Sequence, residues 1–248
     1  MTIEVKTQEQ QALMRAAGKV VGDTLRYIEE FVKPGISTLE LNSLIETFIR
    51  ERGAIPSFKN YNGFPSAACI SIDDVVVHGI PGLRVLKEGE IVSIDVGALL
   101  GGYHGDAART FAVGKVEPAK QKLIDVTKEC FFEGVNLIKP GVRLGDVSHA
   151  IQAHAEKHGY GVVREMVGHG IGSKLHMPPD VPNFGAKGTG PVLREGNTLA
   201  IEPMINLGGP YIYIERDGWT CRTRDGLPSA HYENTILVTQ SGAEILTL

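Results

Sequence analysis

Four acids in this sequence occupy positions that ordinary surface carboxylates rarely take. Asp95 lies within the apolar run IVSIDVG, and Glu202 lies within the apolar run NTLAIEPM. A second acid follows each of these, Asp106 in YHGDAARTFAV and Glu233 in SAHYENTILVT. A carboxylate placed within a strand is unfavourable unless it is paired or binds a metal ion. These four acids are therefore the first candidates for chemistry.

Cations would explain why four such acids could occupy one site, with His169 adding a nitrogen. Four carboxylates that meet at one point repel each other strongly unless positive charge neutralises them. Two divalent cations would balance that charge. Oxygen-rich ligation with one imidazole suits Mn, Fe, Co or Zn better than a closed thiolate site does. The residue types thus predict a metal centre with two ions.

The segments that carry these acids belong to an internal repeat. KPGISTLELNSLIETFIRERG begins at Lys33, and KPGVRLGDVSHAIQAHAEKHG begins 106 positions later, at Lys139. The polar turns that start at Lys87 and Arg194 each precede the acid of the next strand by eight residues. We therefore expect two similar halves that face each other and share one core and one site.

Each half combines helical periodicity with alternating, strand-like segments. In the predicted strands 91–96 and 198–205, alternation places the acid on the face opposite to the apolar residues. Asp106 is expected just before a further strand, at 107–113. The pattern indicates an α+β fold with halves at about 1–113 and 114–248, each an antiparallel sheet covered by helices.

Composition excludes several classes of protein. The chain has 248 residues and a net charge of −4, without the basic cluster typical of a nucleic-acid binder. It has no apolar stretch of membrane-spanning length, and its N-terminus lacks the apolar core of a signal peptide. The three cysteines (Cys69, Cys130 and Cys221) are widely spaced, which favours a reducing compartment. We expect a cytoplasmic protein with no membrane partner and no specific nucleic-acid partner.

Several motifs resemble those of a known family. YNGFPSAACISIDDVVVHGIPG, IVSIDVG, GYHGD, VGHGIG, LAIEPM and HYENTILVT are similar to the motifs of type I methionine aminopeptidases, in the same order and over essentially the whole chain. The resemblance implies the pseudo-twofold pita-bread fold and a monomer. It also implies removal of the N-terminal methionine from nascent polypeptides when the second residue is small. A transient ribosome contact would suit that substrate, but the sequence leaves it open.

The resemblance also implies a role for each ligand. Asp95 would chelate one of two divalent ions, Asp106 and Glu233 would bridge both, and His169 and Glu202 would complete the second. The metal could be Co, Mn, Fe or Zn.

The resemblance implies roles in substrate binding and catalysis as well. Glu202 would take the proton from the attacking water, while His78 and His176 would contact the substrate without binding metal. The methionine pocket would use Tyr61, Phe64, Cys69 and Trp219, with Phe58 and Leu175 near its rim.

Three positions depart from common patterns of the family, and two other functions stay open. Phe58, Met177 and Asn234 put the pocket shape and the metal preference in doubt. A proline-directed (Xaa-Pro-type) aminopeptidase could use the same fold, although such enzymes usually carry an additional N-terminal domain. A metal-free binding module could also use it, but would have no chemical reason to keep all five ligands.

Overall fold

The computed structural model describes residues 3–248. Within them, the chain forms four α-helices and fifteen strands, which are connected by turns and loops. The helices are α1 (Gln8–Glu29), α2 (Thr38–Glu51), α3 (Pro118–Val135) and α4 (Leu144–Lys157). Within residues 3–248, none of them combines the length and the apolar character needed to cross a bilayer. The strands are β1 (Ile55–Pro56), β2 (Ala68–Ile72), β3 (Val75–Val77), β4 (Ile91–Leu100), β5 (Tyr103–Ala112), β6 (Gly161–Val162), β7 (Gly168–Gly170), β8 (Met177–Val181), β9 (Thr198–Ile201), β10 (Met204–Asn206), β11 (Ile212–Ile214), β12 (Cys221–Thr223), β13 (Ser229–His231), β14 (Asn234–Thr239) and β15 (Gly242–Ile245).

Two antiparallel sheets carry the predicted metal ligands. In the first half, β4 pairs with β5 along one edge and with β1 and β2 along the other. In the second half, the strand order is β15-β14-β9-β7-β8. Two smaller sheets, β13-β10-β6 and β11-β12-β3, complete the arrangement. The predicted α+β fold with antiparallel sheets is confirmed.

The first two helices each begin at a capping box. Thr7 Oγ1 accepts a hydrogen bond from the Gln10 N–H at 3.3 Å, and Gln10 Oε1 accepts one from the Thr7 N–H at 2.8 Å. Ser37 and Glu40 make the same reciprocal pair, at 3.2 and 2.8 Å. Each pair satisfies two backbone donors that a helix start leaves free.

The helices cover one face of each sheet, which leaves the other face for the acids. Val92, Ile94 and Val96 of β4 pack in one apolar cluster with residues of α1 and α2. Leu199 and Ile201 of β9 pack in a second cluster with residues of α3 and α4. The predicted alternation is thus confirmed in both strands, and Asp95 lies on the face away from the helices.

The internal repeat corresponds to repeated hydrogen bonds. The Gly35 N–H donates to the Leu86 carbonyl at 2.9 Å, and the Gly141 N–H donates to the Leu193 carbonyl at 2.9 Å. The N–H of each of these leucines also donates to the carbonyl of the residue after the glycine, from Leu86 to Ile36 and from Leu193 to Val142, both at 2.8 Å. The turn before each second helix is therefore attached in the same way to the segment that leads into each acid-bearing strand.

Two strand predictions were wrong in detail. The run 198–205 is divided into β9 and β10, which belong to different sheets, because Pro203 has no N–H to donate to a ladder. The Glu202 carbonyl at this break accepts a hydrogen bond from Asn183 Nδ2 at 3.0 Å. Asp106 lies inside β5 rather than before a strand, since β5 begins at Tyr103.

Candidate metal centre and active-site cavity

All the site residues selected from the sequence line one cavity of about 170 Å³. The residues that line it from the selected set are Phe58, Tyr61, Phe64, Cys69, His78, Asp95, Asp106, His169, Leu175, His176, Glu202, Trp219 and Glu233. Asn62 also lines the cavity, and the sequence analysis did not select it. The two halves contribute to the walls together, so the cavity exists only when both are folded against each other.

Strand register places the two acids of the first half side by side. Asp95 pairs with Ala108, and Gly97 pairs with Asp106, across the β4–β5 ladder. Residues two apart share a face, so Asp95 and Asp106 project from the same side of the sheet. Gly97 adds no side chain there, and a Cβ at this position would lie 2.7 Å from Cε1 of Phe58. Glycine therefore allows the Phe58 ring to pack against this strand beside both carboxylates.

Glu233 of the second half is held by residues of the first. Its N–H donates to the Ala108 carbonyl at 2.9 Å, and its carbonyl accepts from Arg109 Nη1 at 2.6 Å. Arg109 Nη2 donates to Asn234 Oδ1 at 2.7 Å, which gives a structural use to the unusual asparagine noted in the sequence. The Arg109 guanidinium also lies 4.3 Å from the ring centre of Tyr232.

His169 has its metal-binding nitrogen defined by a hydrogen bond. Its Nδ1 lies 2.9 Å from the Gly170 carbonyl, which can only accept, so the proton is on Nδ1 and the Nε2 lone pair is free. Nε2 lies 3.8 Å from Oδ2 of Asp106 and 3.6 Å from Oε1 of Glu202. Burial, together with nearby His176, lowers the pKa of His169 to about 3, so the ring is neutral at pH 7. A neutral lone pair that faces two carboxylates is the arrangement expected around a cation.

The carboxylates themselves require positive charge. Burial raises the pKa of Asp95 to about 7. Burial and then repulsion from the other acids raise the pKa values of Asp106, Glu202 and Glu233 well above their ordinary range. Asp95 Oδ1, Asp106 Oδ1 and Glu233 Oε1 are buried without a hydrogen-bond partner. Donor atoms of Asp106, His169 and Glu233 lie within 4.8 Å of one another. The donor set thus fits divalent cations.

The remaining walls of the cavity are aromatic and apolar. The rings of Phe64 and Trp219 meet edge to face, with 5.2 Å between centres. The Tyr61 hydroxyl lies 2.8 Å from Nδ1 of His176, which fixes that imidazole against the wall. Cys69 is directly opposite Asp95 in the β2–β4 ladder, and burial raises the pKa of its thiol well above the ordinary value. Cys69 is therefore a neutral wall residue rather than a nucleophile.

His78 has an unusual backbone conformation. Its φ is +59°, in the left-handed region that residues with a Cβ rarely occupy. Strand β3 consequently ends at Val77, directly before His78. The ring of His78 stands edge to face with Trp219, 6.2 Å between centres, and burial lowers the pKa of His78 to about 4. Such conformations persist only where the surrounding structure holds them, and they cluster at functional sites.

Comparison with known proteins identifies the family of this chain. Residues 12–240 match metallopeptidase family M24. The chain belongs to metallopeptidase family M24. A family of metallopeptidases uses divalent metal, in agreement with the ligand groups described above.

Relatives of this M24 peptidase span its whole length. The methionine aminopeptidase of Clostridium acetobutylicum is 52% identical over 247 residues, with 99% of each chain covered. The crystal structure of methionine aminopeptidase from Rickettsia prowazekii matches with a TM-score of 0.98 at 46% identity, with 100% of both chains covered. The Xaa-Pro dipeptidase from Bacillus anthracis matches with a TM-score of 0.80 at 26% identity, and the match covers 61% of that chain. The predicted pita-bread fold is confirmed.

One buried histidine of this M24 peptidase escaped the sequence analysis. His231 Nε2 lies 3.7 Å from Oε2 of Glu202 and 3.9 Å from Oε2 of Glu233. Burial lowers the pKa of His231 to about 3. The signal in the sequence is the spacing His231-Tyr232-Glu233, because residues two apart in an extended chain point the same way.

Proposed function

We propose that this protein removes the N-terminal methionine from nascent polypeptides whose second residue is small, by metal-assisted hydrolysis. One observation carries the proposal. Four acids, of which Asp106 and Glu233 are buried and two are partly exposed, face the same cavity as the free Nε2 of His169, and the other walls of this cavity suit a single apolar side chain.

The proposed metal centre holds two divalent cations. Asp95 would chelate one ion, Asp106 and Glu233 would bridge both, and His169 with Glu202 would complete the second. The bridging role is supported by the unpartnered oxygens of Asp106 and Glu233. The donor set is compatible with Co, Mn, Fe or Zn.

The chemistry combines the cations with residues of the chain. When bound, two divalent cations acidify the attacking water, polarise the scissile carbonyl and hold the free α-amine of the substrate, which limits cleavage to chain ends. Glu202 would accept the proton of the water and pass it to the leaving amine as the C–N bond breaks. His176, whose Nδ1 is engaged by Tyr61, would hydrogen-bond the developing oxyanion through Nε2. His78 would hold the scissile amide in position.

The cavity explains the choice of methionine. A cavity of roughly 150 Å³ holds a group of the size of benzene, so the 170 Å³ cavity accommodates one side chain. An unbranched, polarisable thioether fits between Phe64, Tyr61 and Trp219 better than a branched or charged side chain would. A narrow mouth beyond these walls would require the second residue of the substrate to be small.

The proposed setting is a cytoplasmic monomer that meets polypeptides during synthesis. The complete cavity lies within one chain, so no second subunit is needed to form it. Cys69, Cys130 and Cys221 are free and buried, which suits a reducing compartment. A transient contact with the ribosome would deliver the substrate, and cosedimentation of the purified protein with ribosomes would test it.

The decisive test compares two peptide classes with and without a chelator. We expect Met-Ala-Ser to be cleaved to free methionine, EDTA to stop the reaction, and Mn, Co, Fe or Zn to restore it. In the series Met-Ala, Met-Val, Met-Leu and Met-Phe, turnover should fall with the size of the second residue. Cleavage that survives exhaustive chelation, or no cleavage of Met-Ala-Ser with any of these metals, would contradict the proposal.

An Xaa-Pro-specific activity is the second candidate. The fold similarity to the Xaa-Pro dipeptidase allows it, but that relative is much less similar and considerably longer than this chain. Preferential release of alanine from Ala-Pro peptides would favour it. We expect no such preference.

A further inference from the structure

The carboxylate of Glu202 lies between two imidazoles. His169 Nε2 is 3.6 Å from one carboxylate oxygen, Oε1, and His231 Nε2 is 3.7 Å from the other, Oε2. His231 Nε2 is also 3.9 Å from Oε2 of Glu233. One nitrogen of His231 therefore faces the two acids that flank the paired strands β9 and β14.

The two imidazoles occupy different places relative to the cavity. His169 lines it together with the four acids, whereas His231 is absent from its walls and only 2% of its side chain is exposed. His231 thus does not line the cavity itself, although its Nε2 lies close to two carboxylates that do. Nε2 of His231 is completely buried and has no partner within hydrogen-bond distance. A buried polar atom without a partner is costly, which favours pairing of Nε2 with the carboxylate oxygens beside it.

The backbone of His231 is rigidly placed. Its N–H donates to Thr110 Oγ1 at 2.9 Å, and the same hydroxyl donates to the His231 carbonyl at 2.9 Å. His231 also pairs with Met204 in the β10–β13 ladder, two residues after Glu202. The sheet therefore fixes the backbone that carries the imidazole of His231. This backbone lies close to the break between β9 and β10, where Glu202 is located.

We propose that His231 is a positioning residue, which donates a hydrogen bond from Nε2 to the outer carboxylate oxygens of Glu202 and Glu233 and orients both acids for metal binding. The inference rests on the proposed two-metal function. Hydrogen bonds to the outer oxygens of ligating carboxylates fix their rotation and typically change metal affinity by about 10–100-fold. For Glu202, the same bond sets the direction from which the carboxylate accepts the proton of the water.

A direct metal contact by His231 is the competing interpretation. Donor atoms of Asp95, His231 and Glu233 lie within 4.8 Å of one another, which would allow a shared ion. The position of His231 outside the cavity walls favours the hydrogen-bond role instead. The two roles differ in whether Nε2 keeps its proton when metal binds, and in whether an amide can replace the imidazole.

The experiment titrates metal-free protein with Zn²⁺ and with Co²⁺, using calorimetry for affinity and visible absorption for the cobalt coordination. His231→Gln keeps an N–H donor of similar reach, and His231→Leu removes it at similar volume. We expect H231Q to bind within about threefold of the parent and H231L to bind about 10–100-fold more weakly, with parent-like cobalt spectra in both variants. His149→Leu, a substitution on α4 away from the cavity, is the control and should match the parent.

Three outcomes would overturn the inference. H231L that binds as tightly as the parent would remove His231 from the metal centre. Loss of affinity in H231Q as large as in H231L, with altered cobalt spectra in both, would make His231 a ligand. If H231L does not fold, NMR of ¹⁵N-histidine-labelled parent protein decides: we expect the Nε2 proton of His231 to persist at zinc saturation, and its loss would again indicate a ligand.

Failure of the broader proposal has a different signature. A parent protein that binds neither Zn²⁺ nor Co²⁺ would refute the two-metal function itself. A parent that binds two ions, together with an H231L variant that binds them equally well, would refute only the role of His231.

Discussion

Thr235 and Asp106 exchange two hydrogen bonds across the junction of the two halves. Thr235 Oγ1 accepts from the Asp106 N–H at 2.9 Å and donates to the Asp106 carbonyl at 2.9 Å. Both residues are almost fully buried. One hydroxyl of the second half therefore satisfies both backbone groups of an acid in the first half.

Replacing this hydroxyl should weaken the junction. Thr235→Val keeps the shape of the side chain but leaves a buried N–H and a buried carbonyl without this partner, which costs about 1–3 kcal/mol for each unpaired group. We expect a lower urea midpoint and weaker metal binding, measured by denaturation and calorimetry. Thr235→Ser retains the hydroxyl and should lose much less. Equal stability of the valine variant and the parent would show that the paired bonds are unimportant.

Asp106→Asn should prevent full metal loading. The substitution preserves size but replaces a charged bridging carboxylate with a neutral amide, so the charge that holds two cations is reduced. We expect fewer than two ions per chain by elemental analysis after dialysis, with activity lost in parallel. Asp125→Asn, an acid of α3 that is not among the cavity walls, should bind as the parent does. An unchanged metal count in D106N would contradict the bridging role.

His78→Ala should separate metal binding from turnover. His78 lines the cavity but is not among the ligand groups, so its removal should leave the metal content unchanged. Loss of one group that steadies the transition state lowers kcat by roughly 100-fold or more. The measurement is kcat on Met-Ala-Ser beside elemental analysis of the same preparation. A variant that retains the kcat of the parent would exclude His78 from the mechanism.

The four acids should stabilise the metal-free protein as the pH falls, while the buried histidines, whose pKa values are lowered, act in the opposite direction. Burial raises the pKa of Asp95 from 3.8 to about 7, and burial with mutual repulsion raises those of Asp106, Glu202 and Glu233. The folded state therefore holds these protons more tightly than the unfolded chain does. For Asp95, the resulting contribution to the free energy of unfolding is complete below about pH 4 and is lost as the pH rises through about 7.

Calorimetry in a chelator checks this dependence. We expect added metal to raise the Tm more at about pH 8 than at about pH 5.5, because protons compete less for the carboxylates at the higher pH. A metal-free Tm that equals the loaded Tm at about pH 8 would mean that the four acids do not repel one another.

Much of the fold and of the candidate site can be predicted from the sequence, because the patterns that specify them are local. Alternation along residues 91–96 decides which face Asp95 occupies, since side-chain direction in a strand has a period of two. Ser37 and Glu40 specify where α2 begins through bonds that span three residues. The duplicated turns and the spacing from turn to acid are visible in the order of residues alone. These features determined the α+β class and the set of candidate ligands.

The tertiary structure decided how the two halves meet, because those contacts join residues far apart in the chain. Arg109 holds the backbone around Glu233, and Thr235 holds Asp106, at sequence separations of 124 and 129. Alternation alone predicts one strand over 198–205, but the chain breaks at Pro203 into β9 and β10. Glu202 lies at this break, close to His231. The spacing of His231 and Glu233 is visible in the sequence, but the approach of His231 to Glu202 is not, because no sequence pattern encodes the distance between separate strands.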